Sequence, residues 1–209
     1  LTKNIARENI LNGRLLASNI KKKSMLFTSS SGSTGEPFQY YETKKSYSYW
    51  IATNIRGWYN MGYRLGDKYI KLSVNPRKGI LKSLQDRVNN CVYFFSEGVG
   101  KNDIKRFIQI VANKKPFFIR GYPSTISVIA NYINKNNIKI NGVKAINTTG
   151  EILFPDMKES IERAFKSKIY DSYRGESVAL MFQDRTEEYI ISHEYAITEI
   201  VNDDNKLID

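Results

Sequence analysis

The sequence is poor in cysteine and histidine and has no long hydrophobic run, and each shortage excludes a class of protein. Its one cysteine, Cys91, excludes an internal disulfide, and with the one histidine, His193, it leaves no Cys/His cluster for zinc. No stretch approaches the roughly 18 consecutive apolar residues that a membrane-spanning helix needs. The N-terminal region contains basic residues such as Arg7 and Arg14 but no apolar run, so no secretory signal is predicted. These absences favour a soluble cytoplasmic domain without a membrane span.

The apolar content is high enough to build a sizeable core. Of the 209 residues, 41% are hydrophobic and 25% are charged, which is typical of a folded domain and not of a disordered tail. This length suits one large α/β domain or two small ones. Because neither an internal repeat nor a low-complexity linker divides the chain, we predict a single α/β region over residues 1–209.

The net charge of the chain is +11, from 32 Lys and Arg against 21 Asp and Glu. A basic balance raises the question of nucleic-acid binding. The positive residues are spread along the chain, mostly as single lysines, and only residues 21–23 form a run. We interpret the charge first as a solubility feature or a general attraction for anions. A nucleic-acid-binding surface is the second interpretation of this charge. We do not expect nucleic acid to be the partner.

Short apolar runs rich in β-branched and aromatic residues alternate with segments of helical periodicity. Two runs near the C-terminus, 188–192 and 195–201, are separated by two residues and predict an antiparallel pair. Helices of this size between strands favour a mostly parallel sheet that is flanked by helices, with its ligands at the carboxyl ends of the strands. The other predicted strands are 24–28, 69–74, 92–95, 116–120, 143–148 and 168–173.

Four segments predict helices. Asp103, Ser124 and Pro155 each stand where a helix can begin, and apolar residues follow each of them at helical spacing. An earlier helix is predicted over about 44–59, with one apolar face turned to the core. The residues that we expect this helix to bury are Tyr47, Trp50, Ile51 and Ile55.

The strongest chemical signal is residues 28–37, which read Thr-Ser-Ser-Ser-Gly-Ser-Thr-Gly-Glu-Pro directly after the first predicted strand. Glycines let backbone amides converge on an anion, and small hydroxyl side chains add donors without blocking its approach. A Walker A loop is excluded because Glu36 and Pro37 follow Gly35, where Lys and Ser or Thr are required. A flexible Ser/Gly linker is the plain alternative. The order of residues, fixed between a strand and a helix, favours phosphate binding instead.

This loop resembles the phosphate-binding signature of adenylate-forming enzymes, the superfamily of acyl-CoA synthetases, luciferases and peptide-synthetase adenylation domains. Three further segments, 121–124 (Gly-Tyr-Pro-Ser), 147–151 (Asn-Thr-Thr-Gly-Glu) and 169–176 (Ile-Tyr-Asp-Ser-Tyr-Arg-Gly-Glu), resemble the phenylacetate-CoA ligase branch, which includes CapK-like proteins of capsular polysaccharide synthesis. The four motifs occur in the order that the family has. The resemblance implies the fold of the large N-terminal domain of such an enzyme.

The resemblance also implies an activity. Enzymes of this superfamily join a carboxylate to ATP, release pyrophosphate and pass the acyl group to a thiol, usually that of coenzyme A. Tyr173 would stack on adenine, Tyr122 would lie near the acyl pocket, and Glu176 would be the catalytic carboxylate that binds Mg²⁺. The remaining residues that the resemblance implies are Ser30, Ser31, Gly32, Ser33, Thr34 and Gly35 for the phosphates, and Thr149, Gly150, Glu151, Asp171 and Ser172 for adenine.

Taken singly, these residues have plainer explanations. Tyr173 is one of 14 tyrosines and could simply pack against the domain. Glu176 could pair with Arg174 or Lys168 in an exposed contact of small value. Glu151 could provide the N-terminal charge of the helix that begins near Pro155. The order of the motifs favours the functional reading of all of them together.

Two features depart from the family pattern. Tyr173-Arg174-Gly175-Glu176 is one residue shorter than the family's Tyr-Gly-x-Thr-Glu, and a cysteine that this branch often has a few residues later is missing, so no zinc is expected. The chain matches only a middle section of the adenylating domain, without the C-terminal domain that carries the catalytic lysine. We therefore expect this fragment alone to be inactive. The shortened motif keeps open an alternative, an impaired homologue that acts as a binding or scaffold module in capsular polysaccharide synthesis.

Overall fold

The computed structural model describes residues 3–12, 19–29, 39–74, 76–77, 79–95, 98–112, 117–175, 178–195, 197–204 and 206–208. Its helices are α1 (Lys3–Leu11), α2 (Lys44–Asn60), α3 (Ile80–Val88), α4 (Lys101–Ala112), α5 (Pro123–Lys135) and α6 (Pro155–Phe165). Its strands are β1 (Met25–Ser29), β2 (Gln39–Thr43), β3 (Tyr69–Ser73), β4 (Cys91–Phe95), β5 (Phe117–Gly121), β6 (Val143–Thr149), β7 (Ile169–Gly175), β8 (Val178–Gln183) and β9 (Tyr189–Ile191). A short 3-10 helix, Lys22–Ser24, precedes β1.

A seven-stranded sheet organises the chain, with the strand order β4-β3-β5-β6-β7-β8-β9. The pairs from β4 through β7 are parallel, whereas β8 pairs antiparallel with both β7 and β9. Strands β1 and β2 form a separate antiparallel hairpin. The predicted fold class is therefore confirmed: an α/β fold with a mostly parallel sheet, flanking helices and an antiparallel end.

One face of this sheet, which we call the apolar face, is covered by α4, α5 and α6. Phe107 of α4 is fully buried and makes edge-to-face contacts with Phe94 and Phe165, at centroid distances of 5.7 and 6.3 Å. The helices predicted after Ser124 and Pro155 begin at Pro123 and Pro155, because proline fits the first turn, where its missing N–H costs nothing. Further buried residues of this core are Ile70, Leu72, Ile104, Ile119, Ile126, Ile129, Ile146 and Ile161.

The opposite face, which we call the α2 face, has a smaller and more polar cluster. Tyr63, Phe118 and Tyr170 are its buried aromatic residues, and Trp58 of α2 packs against them. Helix α2 approaches β8 closely at Gly57, where an added Cβ would overlap the ring of Phe182. Glycine in a helix interior costs about 1 kcal/mol relative to alanine, and here the close approach explains its presence.

The buried side of α2 differs from the prediction. The buried residues of this helix are Thr53, Asn54 and Gly57, whereas Tyr47 and Ile51 are more than a third exposed. Periodicity identified an amphipathic helix but not which side meets the sheet. Gly57 faces β8 because only a residue without a side chain allows the close approach to Phe182, and the larger apolar residues line an open cavity instead.

The C-terminal strands also differ in part. The predicted partner of 188–192 was 195–201, but β9 pairs with β8, which the sequence analysis did not predict. Within 195–201 the described residues contain no strand, only an isolated bridge between Val201 and Leu207. Ile197 is 96% exposed, so its alternating apolar pattern has no sheet to pack against. Helices α1 and α3 and strand β2 were not predicted either.

Candidate nucleotide site at the carboxyl edge of the sheet

The carboxyl ends of β5, β6 and β7 bring three of the four sequence motifs together. A cavity of about 350 Å³ opens at this edge. Five of the residues predicted to bind adenine line it, and the sixth, Thr149, lies one residue before Gly150 on β6. The lining residues are Gly150, Glu151, Ile152, Leu153, Asp171, Ser172, Tyr173 and Tyr189.

Gly150 connects two of the motifs. Its backbone has a φ of +84°, a conformation that residues with a side chain rarely adopt. A Cβ at this position would come within 2.7 Å of Cε1 of Tyr122, so the tyrosine ring lies directly against the glycine backbone. The motif after β6 therefore needs a glycine both for its turn and for its contact with the motif after β5.

Glu151 has a local structural role. Its Oε2 accepts a hydrogen bond from the backbone N–H of Ser124 at 3.1 Å. Ser124 lies in the first turn of α5, whose N-terminal amides favour a negative charge. Glu151 thus supplies N-terminal charge to α5, and not to the helix that begins at Pro155, for which the plainer alternative had placed it.

Asp171 ties three strands together behind the cavity. Its Oδ1 accepts a hydrogen bond from the hydroxyl of Thr148 at 2.5 Å, and its Oδ2 accepts one from Tyr189 at 2.6 Å. Burial raises the pKa of Tyr189, and the hydrogen bond to the carboxylate raises it further. Both oxygens of Asp171 thus have partners within the protein, which holds the wall of the cavity in place. Tyr189, on β9, was missed by the sequence analysis because no motif includes it.

Ser172 and Asn147 form a second buried network. The Asn147 Nδ2 donates to Ser172 Oγ and to the carbonyl of Tyr170, each at 2.9 Å, and Ser172 Oγ donates to the carbonyl of Thr148 at 2.9 Å. Ser172 is almost fully buried, so it shapes the floor of the cavity more than it presents its hydroxyl there. Two buried oxygens near it, Asn147 Oδ1 and Thr149 Oγ1, have no hydrogen-bond partner.

Tyr173 differs from its neighbours because it is 58% exposed. An exposed tyrosine ring at the mouth of a cavity offers a flat apolar surface to a planar ligand. Of the residues predicted for adenine, it therefore has the geometry that suits stacking best.

The phosphate loop, Ser30 to Gly35, and the carboxylate Glu176 lie outside the described residues. The structure does describe the residues on either side of the loop. Ser29, the last residue of β1, pairs with Gln39, the first residue of β2. The loop thus connects two strands of a hairpin, and not a strand and a helix as predicted. Helix α2 follows only after β2.

In the described parts of the chain, no three His, Cys, Asp or Glu side chains come together as a metal site. Asp171 and Glu151, the carboxylates at this edge, already accept hydrogen bonds from the protein. These described residues therefore do not form a Mg²⁺ site by themselves. No helix in the described ranges is long and apolar enough to cross a membrane.

Comparison with known proteins gives the fold a context. No protein-family model matches the sequence, and no curated protein matches it. Among solved structures, the chain is similar to 2-hydroxyisobutyryl-CoA ligase in an open conformation with 2-HIB-AMP and CoA, with a TM-score of 0.71 and 19% identity over 98% of this chain and 50% of the ligase. It is also similar to the anthranilate CoA ligase AuaEII in complex with anthranoyl-AMP, with a TM-score of 0.61 and 14% identity over 93% of this chain and 39% of that one.

A third similar structure is VinN, with a TM-score of 0.56 and 13% identity over 99% of this chain and 52% of VinN. The chain thus spans about half the length of these proteins or less. At such identities the likeness establishes a shared fold, and the chain has the fold found in the N-terminal domain of adenylate-forming CoA ligases.

Proposed function

We propose that this chain is the nucleotide-binding part of an enzyme that activates a carboxylic acid with ATP and then transfers the acyl group to coenzyme A. The observation that carries the proposal is the cavity at the carboxyl edge. There Gly150, Glu151 and residues 171–173 line one cavity, and Tyr122 and Ser124 contact Gly150 and Glu151, in the fold of ligases whose structures contain acyl-AMP and CoA. We assign it to the phenylacetate-CoA ligase and CapK-like branch on its motifs alone, and we expect a cytoplasmic location.

The proposed reaction has two steps. An oxygen of the substrate carboxylate attacks the α-phosphorus of ATP, and the bond from that phosphorus to the bridging oxygen breaks, which releases pyrophosphate and leaves an acyl-adenylate. The sulfur of coenzyme A, as a thiolate, then attacks the acyl carbon, and AMP leaves with the electrons of the broken C–O bond. Neither step needs a nucleophile from the protein, so positioning and electrostatic stabilisation are the protein's main contributions.

The residues have distinct roles in this proposal. Tyr173 stacks on the adenine ring, and the backbone of Thr149 to Glu151 runs along the edge of the ring. Residues Ser30 to Gly35 hold the β- and γ-phosphates, and Tyr122 borders the acyl group. Glu176 is the residue that we expect to hold Mg²⁺, which would offset the charge of the phosphate oxygens.

The first experiment is pyrophosphate exchange by the natural full-length protein, with MgATP and a panel of aryl, fatty and amino acids. We expect one acid class to support exchange, and the double variant Ser33→Ala, Glu176→Ala to abolish it. Exchange that persists in this variant would contradict the proposed site.

A second experiment tests the adenine position. Calorimetric titration with ATP should show weaker binding to Tyr173→Ala, by about tenfold, since stacking on an aromatic ring contributes on the order of 1–3 kcal/mol. Tyr49→Ala is the matched control, because Tyr49 is also exposed but lies on α2, away from the cavity. Equal affinities of the two variants would place adenine elsewhere.

The shortened motif at Tyr173 to Glu176 favours a second candidate function, an impaired homologue that serves as a scaffold in capsular polysaccharide synthesis. This candidate predicts neither exchange nor tight binding of MgATP. Tight MgATP binding that is lost on Glu176→Ala would exclude it.

A further inference from the structure

A second cavity, of about 530 Å³, lies on the α2 face, between α2, α3 and the strands β3, β4 and β5. One wall of this cavity consists of the apolar residues that the sequence analysis expected in the core. These residues are Tyr47, Trp50, Ile51 and Ile55. An apolar wall of this kind, open on one side, is suited to the hydrocarbon part of a ligand.

Arg120 brings a positive charge into the same cavity. Its guanidinium carbon lies 4.7 Å from the centroid of the Trp58 ring, a cation–π contact. Among the residues that the structure describes, no carboxylate lies within ion-pair distance of this guanidinium, and no oxygen accepts a hydrogen bond from it. A guanidinium has five N–H donors, so this side chain retains most of its capacity to bind an anion.

Two neighbours of Arg120, Tyr69 and Cys91, do not provide a negative charge. Tyr69 and Cys91 face it from β3 and β4, and burial raises the pKa of both groups, so both remain neutral near pH 7. Burial also lowers the pKa of Arg120, because a charge with few partners is costly inside a protein.

Other arginines of the chain do have partners. Arg77, which lines the same cavity, forms an ion pair with Asp86 at 2.7 Å and donates to Gln85 at 2.9 Å. Arg56, on the exposed side of α2, pairs with Glu194. Arg120 therefore differs from Arg56 and Arg77 because its N–H donors have no hydrogen-bond acceptor among the described residues.

Two buried polar atoms on α2 also lack partners. Trp58 Nε1 is a donor, and Asn54 Oδ1 is an acceptor on a side chain that is only 4% exposed. The other polar atom of Asn54, Nδ2, donates to the carbonyl of Trp50 at 2.6 Å. Buried polar groups are usually hydrogen-bonded, so the orphan donor Trp58 Nε1 beside the Arg120 guanidinium indicates a missing acceptor, whereas a carboxylate, which only accepts, does not satisfy Asn54 Oδ1.

We propose that this cavity binds a small organic acid, with its carboxylate paired to Arg120 and its hydrocarbon part against Tyr47, Trp50, Ile51 and Ile55. Arg120 and carboxylate have matching geometries for a bidentate pair, and the surrounding protein strengthens such a contact. This binding requires no nucleotide, so the inference goes beyond the proposed function. The acid can be the one that the enzyme activates or a separate ligand, and the two share this chemistry.

The two tryptophans of the chain, Trp50 and Trp58, both line the cavity, so intrinsic fluorescence reports on it directly. The probes are hydrocinnamate and octanoate, each beside its uncharged amide, which keeps the hydrocarbon part and removes the charge. We expect the acids to change the fluorescence and to bind about tenfold or more tightly than the amides. Equal affinity of acid and amide, or no fluorescence change with any probe, would overturn the proposal.

Substitution of Arg120 is the second arm. Arg120→Gln should remove the preference for the acid, whereas Arg56→Gln, which alters a paired arginine on α2, should keep it. The melting temperature of Arg120→Met tests whether the arginine is needed for folding. If Arg120 serves to bind a ligand, this variant should melt at the same or a higher temperature than the wild type, because a buried cation without a carboxylate partner among the described residues is removed. A preference for acid that persists in Arg120→Gln, or a lower melting temperature of Arg120→Met, would overturn the assignment.

Calorimetry on the full-length protein completes the test. An acid that binds through Arg120 and also supports pyrophosphate exchange is the substrate, whereas one that binds without exchange is a separate ligand, and both results support the site. Binding to the 209-residue chain but not to the full-length protein would overturn it, since polypeptide would then fill the cavity. Exchange without any acid binding at Arg120 would overturn this inference and leave the proposed function intact.

Discussion

The two faces of the seven-stranded sheet are built differently. The apolar face has isoleucine and phenylalanine side chains that are almost fully buried under three helices. The α2 face has tyrosines, a tryptophan and basic side chains over aromatic rings, such as Lys71 over Tyr93 and Lys144 over Phe118. Parallel sheets are usually covered on both sides. The apolar face therefore holds the fold together, and the α2 face is the one with the capacity to bind something else.

The largest expected effect concerns the apolar face. Phe107→Ala should lower the free energy of unfolding by about 3–5 kcal/mol, because it leaves a cavity between Phe94 and Phe165. Chemical denaturation measures this change. Phe27→Ala, at a position that is 56% exposed, is the matched control and should cost less than about 1 kcal/mol. Similar losses in both variants would contradict the view that this face is the main core.

A smaller effect on stability is expected on the α2 face, where helix α2 contacts β8. Gly57→Ala should destabilise by about 1–3 kcal/mol, since its methyl group would overlap the ring of Phe182. Gly98→Ala, at a position with open space around it, should be nearly neutral. The double variant Gly57→Ala, Phe182→Leu should recover part of the loss. If Gly57→Ala is as stable as the wild type, α2 does not lie against β8 as described.

Ion pairs sharpen the comparison further. The Arg77–Asp86 pair is partly buried beside the α2-face cavity, whereas the Glu159–Arg163 pair on α6 is exposed. Asp86→Ala should therefore cost about 1–2 kcal/mol, and Glu159→Ala less than about 0.5 kcal/mol. Thermal unfolding at low and high salt would distinguish them, because salt screens the exposed pair more strongly. If Asp86→Ala and Glu159→Ala lower the free energy of unfolding equally, burial beside this cavity does not strengthen the ion pair.

The smallest effect is expected at alkaline pH. The pKa of Tyr189 is raised above its ordinary value of 10.0 in the folded protein, mainly by burial, so its stabilising contribution is complete below pH 10 and lost as the pH rises further. Tyr63 and Tyr69, on the α2 face, have raised pKa values as well. Tyr189→Phe should make the decline of stability above pH 10 less steep without removing it. A decline of identical steepness in both proteins would contradict this contribution.

The sequence predicted those elements whose signals are local. Pro155 stands at the first turn of α6, as predicted. Helix α5 was predicted to begin at Ser124 and begins one residue earlier, at Pro123. The apolar runs located β3 through β7 to within a residue or two. The face of α2 was wrong because periodicity shows that a helix has two sides, and only the approach of Phe182 to Gly57 decides which one is buried. Strand β8 was missed because only two residues separate it from β7, so no long connection marks it as a separate strand.

The site was predictable to a similar degree. The motif order located Gly150, Glu151, Asp171, Ser172 and Tyr173 around one cavity. It did not reveal that the carboxylate of Asp171 is held by Thr148 and Tyr189, because such contacts join residues that are distant in sequence. Arg120 was missed because a lone arginine in a strand is ordinary, and it becomes informative only because no carboxylate among the described residues pairs with it. Ser30 to Gly35 and Glu176 stay predictions.

The pairing of Ser29 with Gln39 has an entropic consequence for the loop between them. Bringing Ser29 and Gln39 together from the unfolded chain costs on the order of 2 kcal/mol, from the logarithmic dependence of loop closure on the number of residues between them. The hairpin meets this cost when the chain folds, and not when a ligand binds. If the loop holds phosphates as proposed, separating β1 from β2 should weaken that binding by about thirtyfold, because ligand binding would then have to offset this cost.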